Sequence, residues 1–390
     1  TSDIRDGDPV ISTGLGTYSA NYPAGEKIGN QVKGGTIMAT MTINNKKLQE
    51  GLKIIKPFLA TKNSIAILSH IKVSIEDGNI LTLKAQNSTM SIMVECEADA
   101  GEGAFLIPLE KIGLLKSDTI EVDGINVKSG EMKYVVGEKA MQLFDDLKSV
   151  EVENPDYKIV VEEKQMKLVY RSAEHKSTSN RFIHGFLVKS NGDVVSTDGK
   201  RLALYKTRIT GENAIEAIIP IDAVKNLTGK GLLSLQKRDK SENDRRTTVD
   251  FKLEYYNKDF LVTICGAEAE GSFPPYEYVI PAEEKLIHEV KWLKSDWSDK
   301  YKVFKALLDK KLKKVILGNG RIYVENLTKG SYEEALPFDY PYEQGVNAEF
   351  FNDWFETQGN ATIRLQQNYS DSIVIIGDKM DYIVMPMSVN

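Results

Sequence analysis

Three stretches decide the fold: IKVSIEDGNILTLKAQN (Ile71–Asn87), GFLVKSNGDVVSTDG (Gly185–Gly199) and KVILGNGRIYVEN (Lys314–Asn326). Each sets two apolar-rich runs around a turn dipeptide, namely Asp77-Gly78, Asn191-Gly192 and Asn319-Gly320. These dipeptides accept positive φ at low steric cost, which makes them the strongest short-range hairpin signal. Three hairpins of one kind in one chain point to an internal repeat.

Moving outward, each hairpin follows a lysine-bearing stretch with helical spacing. In Asn45 to Leu59 the apolar residues are Leu48, Leu52, Ile55 and Leu59; near Val161 to Ala173 they are Met166, Val169 and Ala173; in Asp299 to Leu312 they are Val303, Leu307, Leu308 and Leu312. After each hairpin a strand runs into a second helix: FLIPLEKIGLL (Phe105–Leu115), AIIPIDAVKNL (Ala217–Leu227) and QGVNAEFFNDWF (Gln344–Phe355), with Pro108 and Pro220 in matching places. Each unit closes on β-rich sequence, MKYVVGEKAMQL (Met132–Leu143), DFLVTICGAEA (Asp259–Ala269) and SIVIIGDKMDYIVMPM (Ser372–Met387). The order predicts an α+β unit with two helices on an antiparallel sheet. Three units are expected, over residues 38–152, 153–281 and 282–390.

The chain has 390 residues, 41% of them apolar, and a formal net charge of -6. Mild acidity excludes a protein that coats DNA over its whole surface, but local fields still permit DNA binding. Cys96 and Cys265 form no disulfide framework and read as buried free thiols in a reducing cytoplasm. No apolar run near 18 residues and no signal-peptide pattern is found, so a soluble cytoplasmic protein with no membrane partner is expected. Residues 1–37 are glycine-rich and lack a helical period; they read equally as a tag-like extension, a disordered natural arm or an ordered element that touches a partner.

Basic residues recur on the helices. They are Lys46, Lys47, Lys53 and Lys56 in the first unit; Lys164, Lys167, Arg171, Lys225 and Lys230 in the second; and Lys300, Lys302, Lys305, Lys310 and Lys311 in the third. Solvated lysines on amphipathic helices are one reading. The other is a shared basic lining, for which lysine suits phosphate as a hydrated point charge that reads no sequence. Such binding is salt-dependent and permits sliding.

Four motifs carry a family resemblance: NSIAILSHI (Asn63–Ile71), TDGKRLALYK (Thr197–Lys206), EGSFPPYEYVIP (Glu270–Pro281) and YIVMPM (Tyr382–Met387). In this order the chain, from about Met41 to Asn390, resembles the bacterial DNA sliding clamp, the DNA polymerase III beta subunit family. The resemblance implies a head-to-tail homodimer of three-domain protomers, a ring around duplex DNA and no enzymatic activity. It also implies a peptide-binding pocket between domains two and three, serving the replicative polymerase, the clamp loader and other proteins with a clamp-binding motif. By motif matching, the pocket would be lined by Ile183, Thr197, Gly199, Lys200, Arg201, Leu202, Pro274, Tyr278, Val279, Phe350, Ile383, Val384, Met385, Pro386 and Met387. Apolar walls accept Leu and Phe side chains, and methionines adapt to several partners. YIVMPM also reads as a buried last strand. The DNA lining would comprise Lys46, Lys53, Lys56, Lys164, Lys167, Arg171, Lys225, Lys230, Lys302 and Lys305, with Lys62 matching a basic loop position that touches DNA in the family. Lys200, Tyr278 and Ser388 depart from the pattern, the Asn347–Gln358 helix carries Glu349, Asp353 and Glu356 but no lysine, and residues 1–37 have no counterpart. Such divergence suits a phage or a distant bacterial lineage.

The residues single out no catalytic set, cofactor or metal site. His70, His175, His184 and His288 lack metal-ligand spacing, and LTGKGLL and STGLGTY lack the context of phosphate loops. Asp198 reads as a turn residue before a metal ligand. Two other functions stay open: a clamp-like decoy that captures clamp-binding peptides, and a DNA-processing enzyme subunit with an acidic metal site.

Overall fold

The computed structural model describes residues 40–59, 65–76, 79–98, 100–173, 184–207, 209–210, 215–238, 248–336, 340–368 and 370–389. All lie in one compact unit, Met38–Asn390. The expectations for residues 1–37, the Asp77-Gly78 turn, Lys62, His175 and Ile183 fall outside the described residues.

A half-unit of strand, helix and three strands occurs six times. First come β1 (Thr40–Asn44), α1 (Asn45–Ile55), β2 (His70–Glu76), β3 (Ile80–Gln86) and β4 (Met90–Glu97), then β5 (Ala100–Pro108), a 3-10 turn, β6 (Thr119–Asp123), β7 (Asn126–Ser129) and β8 (Met132–Val135). After α2 (Glu138–Asp145) follow β9 (Tyr157–Glu162), α3 (Glu163–Ser172), β10 (Gly185–Val188), β11 (Val194–Thr197) and β12 (Arg201–Tyr205). The short β13 (Ile209–Thr210) leads to β14 (Ala217–Pro220), a second 3-10 turn, β15 (Lys230–Lys237), β16 (Val249–Asn257) and β17 (Phe260–Ala267). Last come β18 (His288–Trp292), α4 (Lys294–Leu307), β19 (Lys314–Gly318), β20 (Arg321–Asn326) and β21 (Gly330–Ala335), then β22 (Gln344–Asn347), α5 (Ala348–Thr357), β23 (Ala361–Leu365), β24 (Ile373–Ile376) and β25 (Met380–Val384).

The hairpins form where the turn dipeptides place them. Asn319 and Gly320, both at positive φ, close β19 on β20. The first helix is capped by the Asn44 side chain, which accepts from the Lys46 and Lys47 amides, and it buries Leu48, Leu52 and Ile55. Three expectations need correction. The second helices of the first two units are only 3-10 turns, Leu109–Leu114 and Ile221–Val224. Runs this short gain too few hydrogen bonds to offset helix nucleation. Only α5, capped by Asn347 and burying Phe351, Trp354 and Phe355, is a full second helix. Second, MKYVVGEKAMQL is half strand and half helix, entering α2 after Val135. Third, α4 begins at Lys294 and turns a different face inward. Trp297, Tyr301, Phe304 and Leu308 share the spacing seen in α1 and contain the buried positions, while Val303 and Leu312 are 39% and 55% exposed. Trp297 stacks on Phe355 and meets the edge of Trp292, at 5.5 and 5.4 Å between ring centroids. Large aromatics bury more area than Val303 and Leu312 offer, and they set the rotation of the helix.

The strands form sheets of 13, 8 and 4 strands. The largest runs β13-β9-β15-β16-β17-β4-β3-β2-β5-β1-β6-β7-β8, and the next β14-β10-β11-β12-β25-β24-β23-β18. Strand β5 pairs with β2 over Gly103–Pro108 and with β1 over Ala100–Glu102. Gly101 and Gly103, at φ 128 and 140, supply the bend at this crossover.

Two seams join successive repeats edge to edge. Strand β17 pairs antiparallel with β4, from Leu261↔Glu95 to Gly266↔Met90. Strand β12 pairs with β25, from Arg201↔Val384 to Tyr205↔Met380. Each seam joins the last strand of one unit's first half to the last strand of the next unit's second half. The same rule leaves β21 and β8 as sheet edges among the described residues. A Cβ on Gly266 would sit 2.8 Å from Met90 Cγ across the first seam and 2.9 Å from the Phe251 ring. Gly266→Val is therefore expected to destabilise the chain by about 1–3 kcal/mol, read from the urea midpoint; an unchanged midpoint would show that the seam yields.

Candidate functional site

The site grows from the TDGKR turn at the end of β11. The Thr197 hydroxyl donates to the Arg201 carbonyl at 2.6 Å and accepts from the Gly199 amide at 3.0 Å. Asp198 Oδ1 accepts from the Lys200 and Arg201 amides at 3.0 and 3.1 Å, and Oδ2 from Arg201 Nε at 3.0 Å. Asp198 thus shapes the turn and orients Arg201. Gly199 takes the positive φ, 79°, that closes it.

Arg201 is the hub. Its Nη1 donates to Asp353 Oδ2 at 2.5 Å and to the Tyr382 hydroxyl at 3.2 Å, and its Nη2 donates to the Arg171 carbonyl. The guanidinium centre lies 4.2 Å from the centroid of the Phe350 ring. Burial opposes the Arg201 charge, but Tyr382, Asp198 and Asp353 outweigh it and hold the group above the ordinary arginine range. Arg171, at the end of α3, donates to Asp353 and Glu356 of α5, each at 2.8 Å. The sequence reading placed Arg171 in the DNA lining; the structure engages it in an ion-pair cluster that ties α3 to α5. The acids of the lysine-free helix have the same explanation, since Glu349 pairs with Lys313.

Above this cluster lies a cavity of about 190 Å³, lined by Thr197, Gly199, Arg201, Leu202, Pro274, Pro275, Tyr276, Val279, Ile383 and Met385. It lies beside the β12–β25 seam. It is smaller than the ~300–1,000 Å³ of small-molecule sites and suits one or two inserted side chains. Eight of the residues matched by motif meet here. Pro275 and Tyr276 were missed, although the same PPYEY run contains them. Six matched residues are not in the wall. Lys200 is exposed and Tyr278 is 89% exposed, Phe350 packs under Arg201, and Val384 is buried in the sheet. Pro386 is half-buried, and Met387 bridges to Gly345. YIVMPM is thus both a buried strand and, through Ile383 and Met385, a cavity wall.

The described arginines are all engaged, whereas several helix lysines are not. Each arginine among the described residues has a carboxylate partner: Arg171, Arg201, Arg238, Arg321 and Arg364. By contrast Lys46, Lys53, Lys56, Lys164, Lys225, Lys230 and Lys305 are exposed. Lys167 and Lys302 pair only with Glu163 and Asp299 on their own helices, contacts worth roughly 0–1 kcal/mol. The Lys167 hydrogen bond and the Gly229 amide hold Glu163 below the usual carboxylate range. Lys53 of α1, Lys167 of α3, Lys225 and Lys258 line one groove, together with Glu50 and Glu163. Lys258 was missed; its signal was the Asn257-Lys258-Asp259 hairpin turn, where it sits at φ 55. Among the described residues no group of three or more His, Cys, Asp or Glu side chains is placed to hold a metal.

Asp353 joins two guanidinium groups, so Asp353→Ala leaves both without their shared carboxylate. We expect a loss of about 3–5 kcal/mol in urea unfolding, against under about 1 kcal/mol for Glu356→Gln at the exposed end. Hydrogen bonding to Arg171 lowers the Glu356 pKa. Its contribution is therefore complete above the ordinary carboxylate pKa and is lost as pH falls through the depressed value. A Glu356→Gln penalty that does not shrink at all as pH is lowered from neutrality to the acid-unfolding limit would contradict this.

No family model matches the chain. A stretch of 145 residues is 27% identical to the beta sliding clamp of Borreliella burgdorferi, and the match spans about a third, 34%, of each protein. The fold is similar to the Helicobacter pylori beta clamp bound to a DNA ligase peptide, with TM-score 0.68 and 19% identity over 90% of this chain and 100% of that one. It is also similar to DNA polymerase III subunit beta from Borrelia burgdorferi in complex with a natural product, with TM-score 0.70 and 14% identity over 92% and 100%. The Pseudomonas aeruginosa sliding clamp bound to griselimycin gives TM-score 0.67 and 19% identity over 90% and 100%. The chain thus has the fold of the bacterial beta sliding clamps, at low sequence identity to each of them.

Proposed function

We propose that the chain is a DNA polymerase processivity factor, built of clamp domains at 38–152, 153–281 and 282–390. Two copies close head to tail into a ring that encircles duplex DNA without sequence preference. The observation that carries this reading is the seam rule. Strands β4 and β17, then β12 and β25, join successive units, and β21 and β8 are the pair left over. Their union in trans continues the series from the third unit of one copy to the first unit of the next. Lys133 is exposed on β8, and Glu333 is exposed on β21, where Arg321 of β20 pairs with it. The exposed lysines of α1, α3 and α4 support a lining that meets phosphates, whose contacts are non-specific and salt-dependent.

The cavity beside the second seam serves as the peptide pocket for a polymerase, a clamp loader and other proteins with a clamp-binding motif. The ligase peptide on the Helicobacter pylori clamp supplies the precedent. Arg201 acts as a positioning residue here, holding the TDGKR turn against Tyr382 and α5. We assign the chain no reaction. A decoy that keeps the pocket without the ring is the second reading, and the leftover β21 and β8 edges favour the ring.

Light scattering behind a sizing column is expected to give twice the chain mass, and the protein should be retained on circular but not linear DNA. Lys133→Glu, which adds a carboxylate to the β8 edge proposed to meet β21 of the second copy, should raise the dimer dissociation constant severalfold. A monomer at every concentration would replace the clamp by the decoy. For the pocket, Met385→Ala should weaken an apolar-and-glutamine peptide by about 1–3 kcal/mol without changing the mass; undiminished affinity would remove the assignment.

A further inference from the structure

A second cavity, of about 330 Å³, shares the Pro274-Pro275-Tyr276 segment with the first. On its far side lie Leu187, Lys189, Glu216, Ile218, Glu268 and Phe273. One apolar cluster, distinct from the main core, floors both spaces. It contains Leu202, Ile383, Tyr276 and Val279 of the first cavity, with Leu187 and Phe273 of the second packed against it. Tyr276 is the divider, 93% buried, braced edge-on by Phe273 at 6.2 Å and covered by Lys189 Nζ at 5.4 Å. Lys189 also pairs with Glu277 at 3.0 Å, so it is already matched by a carboxylate of the same cavity. Glu216 is exposed at the rim, with no ion pair among the described residues.

We propose that the second cavity extends the peptide site. The residues flanking the apolar anchor cross the Tyr276 divider, set an apolar side chain against Leu187 and Phe273, and place a lysine or arginine against Glu216. This rests on the peptide-pocket reading of the first cavity. Two features favour this occupant: the shared floor and divider make the spaces continuous, and the exposed Glu216 calls for a basic flank. An exposed carboxylate contributes modestly through direct contact but selects against like charge.

The test is fluorescence anisotropy on the full chain with three kinds of peptide: a short anchor of Gln, Leu and Phe, the anchor with a Leu-Lys-Lys flank at either end, and the anchor with a Leu-Glu-Glu flank. One lysine-flanked peptide should bind about threefold to tenfold tighter than the bare anchor, and its glutamate counterpart should not. Glu216→Lys should abolish that gain while leaving the bare anchor within about twofold, and added salt should shrink it. Equal affinity of all flanks for the wild-type chain, or a gain that survives Glu216→Lys, would overturn the extension and leave the pocket standing. A bare anchor that fails to bind at all would instead remove the pocket reading, and the extension with it.

Discussion

A sheet edge is a row of unpaired amide and carbonyl groups, and a protein must pair it, cover it or blunt it. This constraint organises the molecule. The repeats do not close their own sheets. They lend edges to one another, β4 to β17 and β12 to β25, so that backbone ladders run through the boundaries between units. Joints of this kind are stiff, because a one-residue slip would turn every apolar side chain of the strand to the wrong face. At the first joint Val94 and Val262 stand opposite each other, both fully buried. Such seams bind successive repeats through the backbone, beside an apolar core that runs through all of them.

The second seam also carries the candidate pocket. Arg201 begins β12 and faces Val384 at the end of β25, so the residue that closes the TDGKR turn is itself part of the joint. Its charge reaches Asp353 on α5, and through Asp353 reaches Arg171 on α3. A shallow cavity walled by Leu202, Ile383, Val279 and Met385 would lose its shape if the two units rocked. The ladder resists one direction of motion and the ion cluster another. A carboxylate shared by two guanidinium groups is costly to separate in a partly buried setting, so the arrangement suits positioning more than added stability.

Much of this was legible in the sequence because it is local. The hairpins follow from Asn-Gly and Asp-Gly, the first helix from Leu48, Leu52 and Ile55, and the repeat from their recurrence. What escaped depends on partners far away. The rotation of α4 is set by Trp297 meeting Phe351 and Phe355, more than 50 positions later in the chain, and its own Val303 and Leu307 suggested another face. The contraction of two of the six helices to 3-10 turns was not legible, because their apolar spacing reads the same as that of a full helix. Of the candidate pocket, the motifs yielded the strand-end residues, and the wall residue Tyr276 lay inside a quoted motif. They did not reveal that Phe350 would lie beneath Arg201 outside the wall, nor that Arg171 would be drawn to Asp353, a pairing across 182 positions.

The contrast between the described arginines and the exposed helix lysines links the fold to the proposed function. Guanidinium is planar, weakly hydrated and built for forked contact with carboxylate; ammonium is a strongly hydrated point charge on a flexible stem. In this chain every described arginine is committed to a carboxylate, at α3–α5, within the strand pairs, or beneath the pocket. The exposed lysines of α1, α3 and the turn after β14 remain at the surface, and several converge on one groove. A net charge of -6 is compatible with DNA binding on these terms, because the acids that dominate the total include those that hold the arginines. The exposed lysines of these helices, interleaved with Glu50 and Glu163, are of the kind that attracts phosphate without fixing it in register, as the proposed movement along a duplex would require.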